Sequence, residues 1–144
     1  MEFLLRHFFL KSLFIILLSL LIFGKAFATN TSTGTNALSS LTTGTYNTAN
    51  GYLSLYSNTT GYRNTATGAL SLYFNTSGYE NTALGDMSLN SNTTGIKNTA
   101  IGQDSMRSNT TGDHNTAVGH DSLVFNTTGE ANVAVGKNSL ENNT

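Results

Sequence analysis

Histidines and carboxylates are the side chains here that could bind a metal or move a proton. Beyond residue 28 the histidines are His114 and His120, six positions apart. With Asp113 and Asp121 they form the segment D-H-N-T-A-V-G-H-D. Imidazole and carboxylate are ligand types for zinc and related ions. The segment reads equally as solvent-facing side chains at variable positions, and on that reading no metal is expected. Cleavage of a glycosidic bond would need a local pair of carboxyl groups. Asp104 and Asp121 hold equivalent positions, but Leu53, Leu70, Met87 and Asn138 fill the rest of that column. No nucleophile–His–acid set is arranged by the sequence. No G-x-x-x-x-G-K-[ST] phosphate loop occurs, and the Asp-Gly nonapeptide of calcium-binding β-rolls is missing. The expectation is a chain that is not an enzyme and takes no cofactor.

What must position any such side chain is a repeat. Gly44, Gly61, Gly78, Gly95, Gly112 and Gly129 recur every 17 residues. So do Gly34, Gly51, Gly68, Gly85, Gly102, Gly119 and Gly136. A long apolar column runs Leu38, Leu55, Leu72, Leu89, Met106, Leu123 and Leu140. A small one runs Ala49, Ala66, Ala83, Ala100, Ala117 and Ala134, followed one residue on by Thr67, Leu84, Ile101, Val118 and Val135. Asn47, Asn64, Asn81, Asn98, Asn115 and Asn132 keep the same step. The unit is N-T-A-x-G-x-x-S-L-x-x-N-T-T-G-x-x, and its period places it among repeat architectures.

Seventeen residues are too few for a helix pair, whose repeats run to about 33 or more. Two glycines and two Asn-Thr pairs per unit also disfavour helix. N-T-A-x-G reads as a very short strand closed by glycine. S-L-x-x-N-T-T-G reads as a second short strand or extended stretch with a turn at its end. The sequence therefore predicts an all-β solenoid or β-roll of 17-residue coils over 34–144, in which each column becomes a ladder at the roughly 4.8 Å inter-strand spacing. Each glycine is expected to supply a backbone angle, or a close approach, that a Cβ would block. The expected core comprises Leu55, Leu72, Leu89, Met106 and Leu123, the alanines Ala66, Ala83, Ala100, Ala117 and Ala134, and the branched residues Leu84, Ile101, Val118 and Val135. Asn columns are expected to satisfy backbone groups in turns. Five sequons, at Asn58, Asn75, Asn92, Asn109 and Asn126, follow from the repeat itself and count as one match to the glycosylation acceptor.

The first 28 residues differ. Arg6 and Lys11 open the chain, an apolar run of about 12 residues follows, and Ala26-Phe27-Ala28 closes it. That is the layout of a secretory signal peptide with an apolar helix, and the run is shorter than the roughly 20 residues of a membrane span. Cleavage is expected after Ala28, with 29–33 a short linker. A retained anchor is the alternative, because Phe3 to Leu10 is apolar too apart from Arg6 and His7. Beyond Ala28 there are four basic residues (Arg63, Lys97, Arg107, Lys137) against seven acidic ones, a net charge of -3. This excludes a basic patch for nucleic acid or anionic lipid. The chain has no cysteine, so an exported form has no disulfides to draw on. One Leu, one Ala and one variable residue per coil make a thin core, and that predicts an oligomer, specifically a trimer. The array stops inside a repeat at Thr144, which reads as an incomplete last unit.

Specificity is expected in columns whose chemistry changes from coil to coil. One runs Tyr52, Ala69, Asp86, Gln103, His120 and Lys137; another runs Tyr46, Arg63, Glu80, Lys97, His114 and Ala131. The early coils add Tyr56, Tyr62, Tyr73 and Tyr79, and exposed Tyr favours recognition. Candidate exposed binding positions are Tyr46, Tyr52, Tyr62, Arg63, Tyr79, Glu80, Lys97, His114 and His120.

The unit N-T-A-x-G-x-x-S-L-x-x-N-T-T-G resembles the YadA-like head repeats of trimeric autotransporter adhesins, and similar Asn-Thr-Gly repeats occur in secreted bacterial fibres. The resemblance spans about 34–144. It implies a trimeric, left-handed parallel β-roll, exported to the bacterial surface or outer membrane, that binds host matrix, cell surfaces or glycans. Ala66, Ala83, Ala100 and Ala117, with Leu84, Ile101 and Val118, match that family's inward small-and-branched pair; Gly68, Gly85, Gly102 and Gly119 match its turn glycine. The family unit is shorter and lacks the S-L-x-x-N-T-T-G extension, and these 144 residues contain no stalk or barrel pattern. The expected function is adhesin-like multivalent binding. The alternatives are an ice- or crystal-surface binder using a Thr ladder such as Thr59, Thr76, Thr93, Thr110 and Thr127, and a purely structural fibre.

Overall fold

The computed structural model describes residues 30–143. The expected signal peptide and its apolar helix lie outside these residues, as does Thr144. Seven three-residue strands form one parallel sheet in chain order: β1 (Thr31–Thr33), β2 (Thr48–Asn50), β3 (Thr65–Thr67), β4 (Thr82–Leu84), β5 (Thr99–Ile101), β6 (Thr116–Val118) and β7 (Val133–Val135). The register never slips: Ala49 pairs with Ala66, Ala66 with Ala83, Ala83 with Ala100. The chain is a β-solenoid of about six turns of about 17 residues. Residues 31–33, expected as linker, are instead the first strand, because Thr31-Ser32-Thr33 pairs in register with Thr48-Ala49-Asn50. Among the described residues no helix is long and apolar enough to cross a membrane.

Side chains alternate across a strand, so a three-residue strand sends its middle residue inward and its flanks outward. The middle residues Ala66, Ala83, Ala100 and Ala117 have no exposed surface. Leu55, Leu72, Leu89, Met106 and Leu123 are equally buried and pack with the alanines into one cluster that runs the length of the array. A methyl and a long side chain fill the coil between them. Leu84, Ile101, Val118 and Val135 do not belong to this core. They are the outward flank of the strand: Ile101 is 37% and Val135 70% exposed, and Leu84 and Val118 are half-buried. The period of two makes it impossible for both residues of an A-x pair to face inward.

The remainder of each coil is turn, and the second short strand or extended stretch expected at S-L-x-x-N-T-T-G is a chain of tight bends. Three non-glycine positions per coil take a left-handed backbone, exemplified by Leu53 (φ 55°), Leu55 (φ 49°) and Arg63 (φ 54°). No Val, Ile or Thr occupies these positions in any coil, although Thr is abundant elsewhere. A β-branched side chain at positive φ is a severe outlier. Lys97 (φ 55°) is exposed at such a position and gives a clean test. Lys97→Gly is expected to raise stability by about 0.5–1 kcal/mol and Lys97→Val to lower it by about 1–2 kcal/mol. Urea titrations followed by circular dichroism read the difference, and two equal midpoints would overturn the assignment.

Candidate functional site

The interior is polar as well as apolar. Asn47, Asn64, Asn81, Asn98 and Asn115 form one fully buried ladder, and Asn58, Asn75, Asn92, Asn109 and Asn126 a second. In the first, each backbone N–H donates to the side-chain oxygen of the Asn one coil earlier: Asn81 to Asn64 at 3.1 Å and Asn98 to Asn81 at 2.9 Å. In the second, amide donates to amide, as Asn75 Nδ2 does to Asn58 Oδ1 at 2.8 Å. The two ladders meet on a glycine carbonyl. Gly78 O accepts from Asn64 Nδ2 at 2.8 Å and from Asn75 Nδ2 at 3.0 Å, which uses both of its lone pairs. The sequon asparagines are thus spoken for by the scaffold, and their burial leaves no amide for a glycan in the folded chain.

The serine of S-L was not singled out from the sequence, yet it has a role. Ser71 Oγ donates to Gly68 O at 3.0 Å, and Ser88 Oγ to Gly85 O at 3.0 Å. Its presence in six successive coils, Ser54 to Ser139, was the available signal.

Changeable chemistry lies outside. Tyr46, Tyr52, Arg63, Lys97, His114 and His120 are exposed, whereas Tyr62, Tyr79 and Glu80 are half-buried. The last three are covered by their own column. Tyr62 and Tyr79 stack with centroids 4.6 Å apart and planes 6° apart, and Arg63 lies 5.9 Å from the Tyr62 centroid. Arg63 also pairs with Glu80 at 3.1 Å. A second stack joins Tyr56 to Tyr73, with Phe74 set edge-on against it. In-register stacking spends ring faces on neighbouring rings and leaves ring edges and hydroxyls toward solvent.

The D-H-N-T-A-V-G-H-D segment does not act as one group. Asp113 and His114 precede β6, and His120 and Asp121 follow it. Asp113 Oδ1 accepts from the Ile96 backbone N–H at 2.7 Å. His120 Nδ1 lies 2.7 Å from Asp121 Oδ2, and Asp104 joins this pair from the coil before.

Two threonine columns differ in character. Thr59 Oγ1 donates to Thr76 O at 3.0 Å, and Thr76 Oγ1 to Thr93 O at 3.1 Å. The hydroxyl hydrogens of this column are consumed by the coil beside them. The other column, Thr48, Thr65, Thr82, Thr99 and Thr116, stands on the outward flank of the sheet. No family model, curated protein or solved structure matches this chain.

Proposed function

We propose that the chain is an exported, non-catalytic display solenoid that binds matrix, cell-surface or glycan ligands through its variable columns. One observation carries this reading. The Asn, Leu/Met and Ala columns that fill the interior repeat from coil to coil, whereas the columns of Tyr46 and Tyr52, whose chemistry changes from coil to coil, lie mostly on the outside. A scaffold that fixes identical backbone positions at each coil, and varies what they present, is suited to multivalent contact. Export rests on the signal-peptide layout of residues 1–28.

Association of three copies belongs to the same proposal. The outward flank turns aliphatic along the array, from Asn50 and Thr67 to Leu84, Ile101, Val118 and Val135, and Val133 adds a side chain 68% exposed. Covering such a stripe gains roughly 25 cal/mol per Å² of apolar surface removed from water. The experiment has two readouts on one sample. Light scattering is expected to give three times the chain mass, and immobilised matrix proteins or glycans are expected to retain the protein. Serine at Tyr52, Arg63, Lys97 and His114 is expected to lower retention at least tenfold with the far-ultraviolet spectrum unchanged. A monomer that no such ligand retains would overturn the reading.

A second reading is favoured by the outward Thr48–Thr116 column, whose hydroxyls stand at strand spacing on one sheet face. An ice- or crystal-surface binder needs such a face. Thermal hysteresis without ligand retention is the result that would select it. The flank beside this column is Thr in β3 but Leu, Ile and Val in β4 to β7, and this irregularity weighs toward the first reading.

A further inference from the structure

We propose that Asp104, His120 and Asp121 form a binding site for one divalent transition-metal ion, of the zinc or nickel class. Each of the three offers a ligand atom, and these atoms lie within 4.8 Å of one another. The register brings them together. Asp104 and Asp121 are 17 apart, so they occupy the same place in adjacent coils, and both have the same left-handed backbone (φ 55° and 56°). Their side chains therefore leave the coil in the same direction. His120 precedes Asp121 and is 43% exposed at its side chain.

The surroundings argue that these carboxylates are not there for the fold. The same place holds Leu53, Leu70 and Met87 in earlier coils, so the scaffold accepts an apolar side chain in it. The Asp104 and Asp121 side chains are only 15% and 27% exposed. The two carboxylates stand in adjacent coils with the His120 ligand atom within 4.8 Å of both, an arrangement that attracts a cation. Arg107 offsets Asp104 in part, but its Nη1 is 3.5 Å from Oδ1 and its side chain is 43% exposed. A bound ion would take over that role at shorter range.

The donor set selects the ion. Two carboxylates alone would suit magnesium or calcium, and an imidazole shifts the preference to zinc, nickel or copper. Ligand atoms sit about 2.0–2.2 Å from zinc, so any two sharing an ion are at most about 4.4 Å apart. The observed separations, all within 4.8 Å, lie close to that limit. Three protein ligands leave at least one position for water or for a group on a partner molecule.

Isothermal titration calorimetry of the full chain with zinc chloride alone, and then with nickel chloride, tests the site. One ion per chain is expected. His120→Ala and Asp104→Leu are each expected to weaken binding at least tenfold, and His114→Ala to leave it unchanged. Asp104→Leu installs the residue that earlier coils carry there, so the fold is retained and the test stands even if His120→Ala fails to fold. No heat with either ion, binding that Asp104→Leu leaves intact, or binding of calcium in preference to zinc would each overturn the proposal. None of these results depends on whether the variable columns bind a matrix or glycan ligand.

Discussion

Gly78→Ala is expected to cost about 3–5 kcal/mol, overpacking and lost buried hydrogen bonds acting together. Gly78 has no positive φ, so the cost is one of space alone. A Cβ there would press on the Asn75 side-chain oxygen, would sit 2.5 Å from the carbonyl oxygen of Gly95, and 2.8 Å from Asn92 Nδ2. Backbone cannot move aside here, because Gly95 O is itself held by Asn81 and Asn92. Relief in one coil would have to be passed to the next. The substitution also damages both asparagine ladders at their meeting point on Gly78 O. Ser77→Ala, one residue earlier and exposed, is the control, expected within about 0.5 kcal/mol of the parent. Urea midpoints measure both. Tyr79, next to Gly78 and stacked on Tyr62, supplies a local near-ultraviolet signal that should weaken in Gly78→Ala. Equal midpoints for the two variants would show that the coils are not packed at this spacing.

The two glycine columns illustrate how far the sequence can be read. Their period gave the coil length and the parallel, in-register stack, and the structure bears out both. The notion that each glycine supplies an angle or a close approach also holds: Gly68 and Gly85 do both, with φ of 126° and 141° and the next coil's glycine carbonyl against them, whereas Gly61 and Gly78 have no φ in that range but abut the next coil. What could not be read was that Leu72 and Leu89 would take left-handed backbone themselves. Glycine is the usual mark of that conformation, and leucine in a buried column gives no hint of it. The signal was negative, an absence of β-branched residues in a Thr-rich chain. The placing of Ile101 and Val118 inside the coil failed for a related reason. Their types say buried, but strand alternation had already assigned the inward place to Ala100 and Ala117. Among possible site residues, Asp104 and Asp121 were seen to share a column, while His120 was grouped with its sequence neighbours Asp113 and His114. Only the register places it against Asp104, one coil away.

Asn81 offers the second large effect, and one that separates hydrogen bonding from packing. Its side chain is fully buried. Nδ2 donates to Gly95 O at 2.8 Å and to Asn64 Oδ1 at 3.2 Å, and Oδ1 accepts from the Asn98 backbone N–H at 2.9 Å. Asn81→Ala leaves the Asn98 N–H buried without a partner and opens a small void, a loss of about 2–4 kcal/mol. Asn81→Asp keeps nearly the same shape and still has an oxygen for the Asn98 N–H. Its second oxygen, however, faces two acceptors, Gly95 O and Asn64 Oδ1. As a buried carboxylate it is repelled by both; as a carboxylic acid it can donate to one of them. Burial and these acceptors therefore raise its folded pKa above the unfolded value of about 3.9. The sign follows. Favourable contacts of the protonated form are fully present below the unfolded pKa and are lost as pH rises through the folded one. At pH 7 Asn81→Asp is expected to be the less stable of the two variants, and on acidification toward pH 4 it should gain on Asn81→Ala and overtake it. Urea midpoints across that range decide the matter. Two variants that keep a constant offset at every pH would mean that the Asn81 amide does not donate into the ladder, and that the stack is held by its apolar columns and backbone alone.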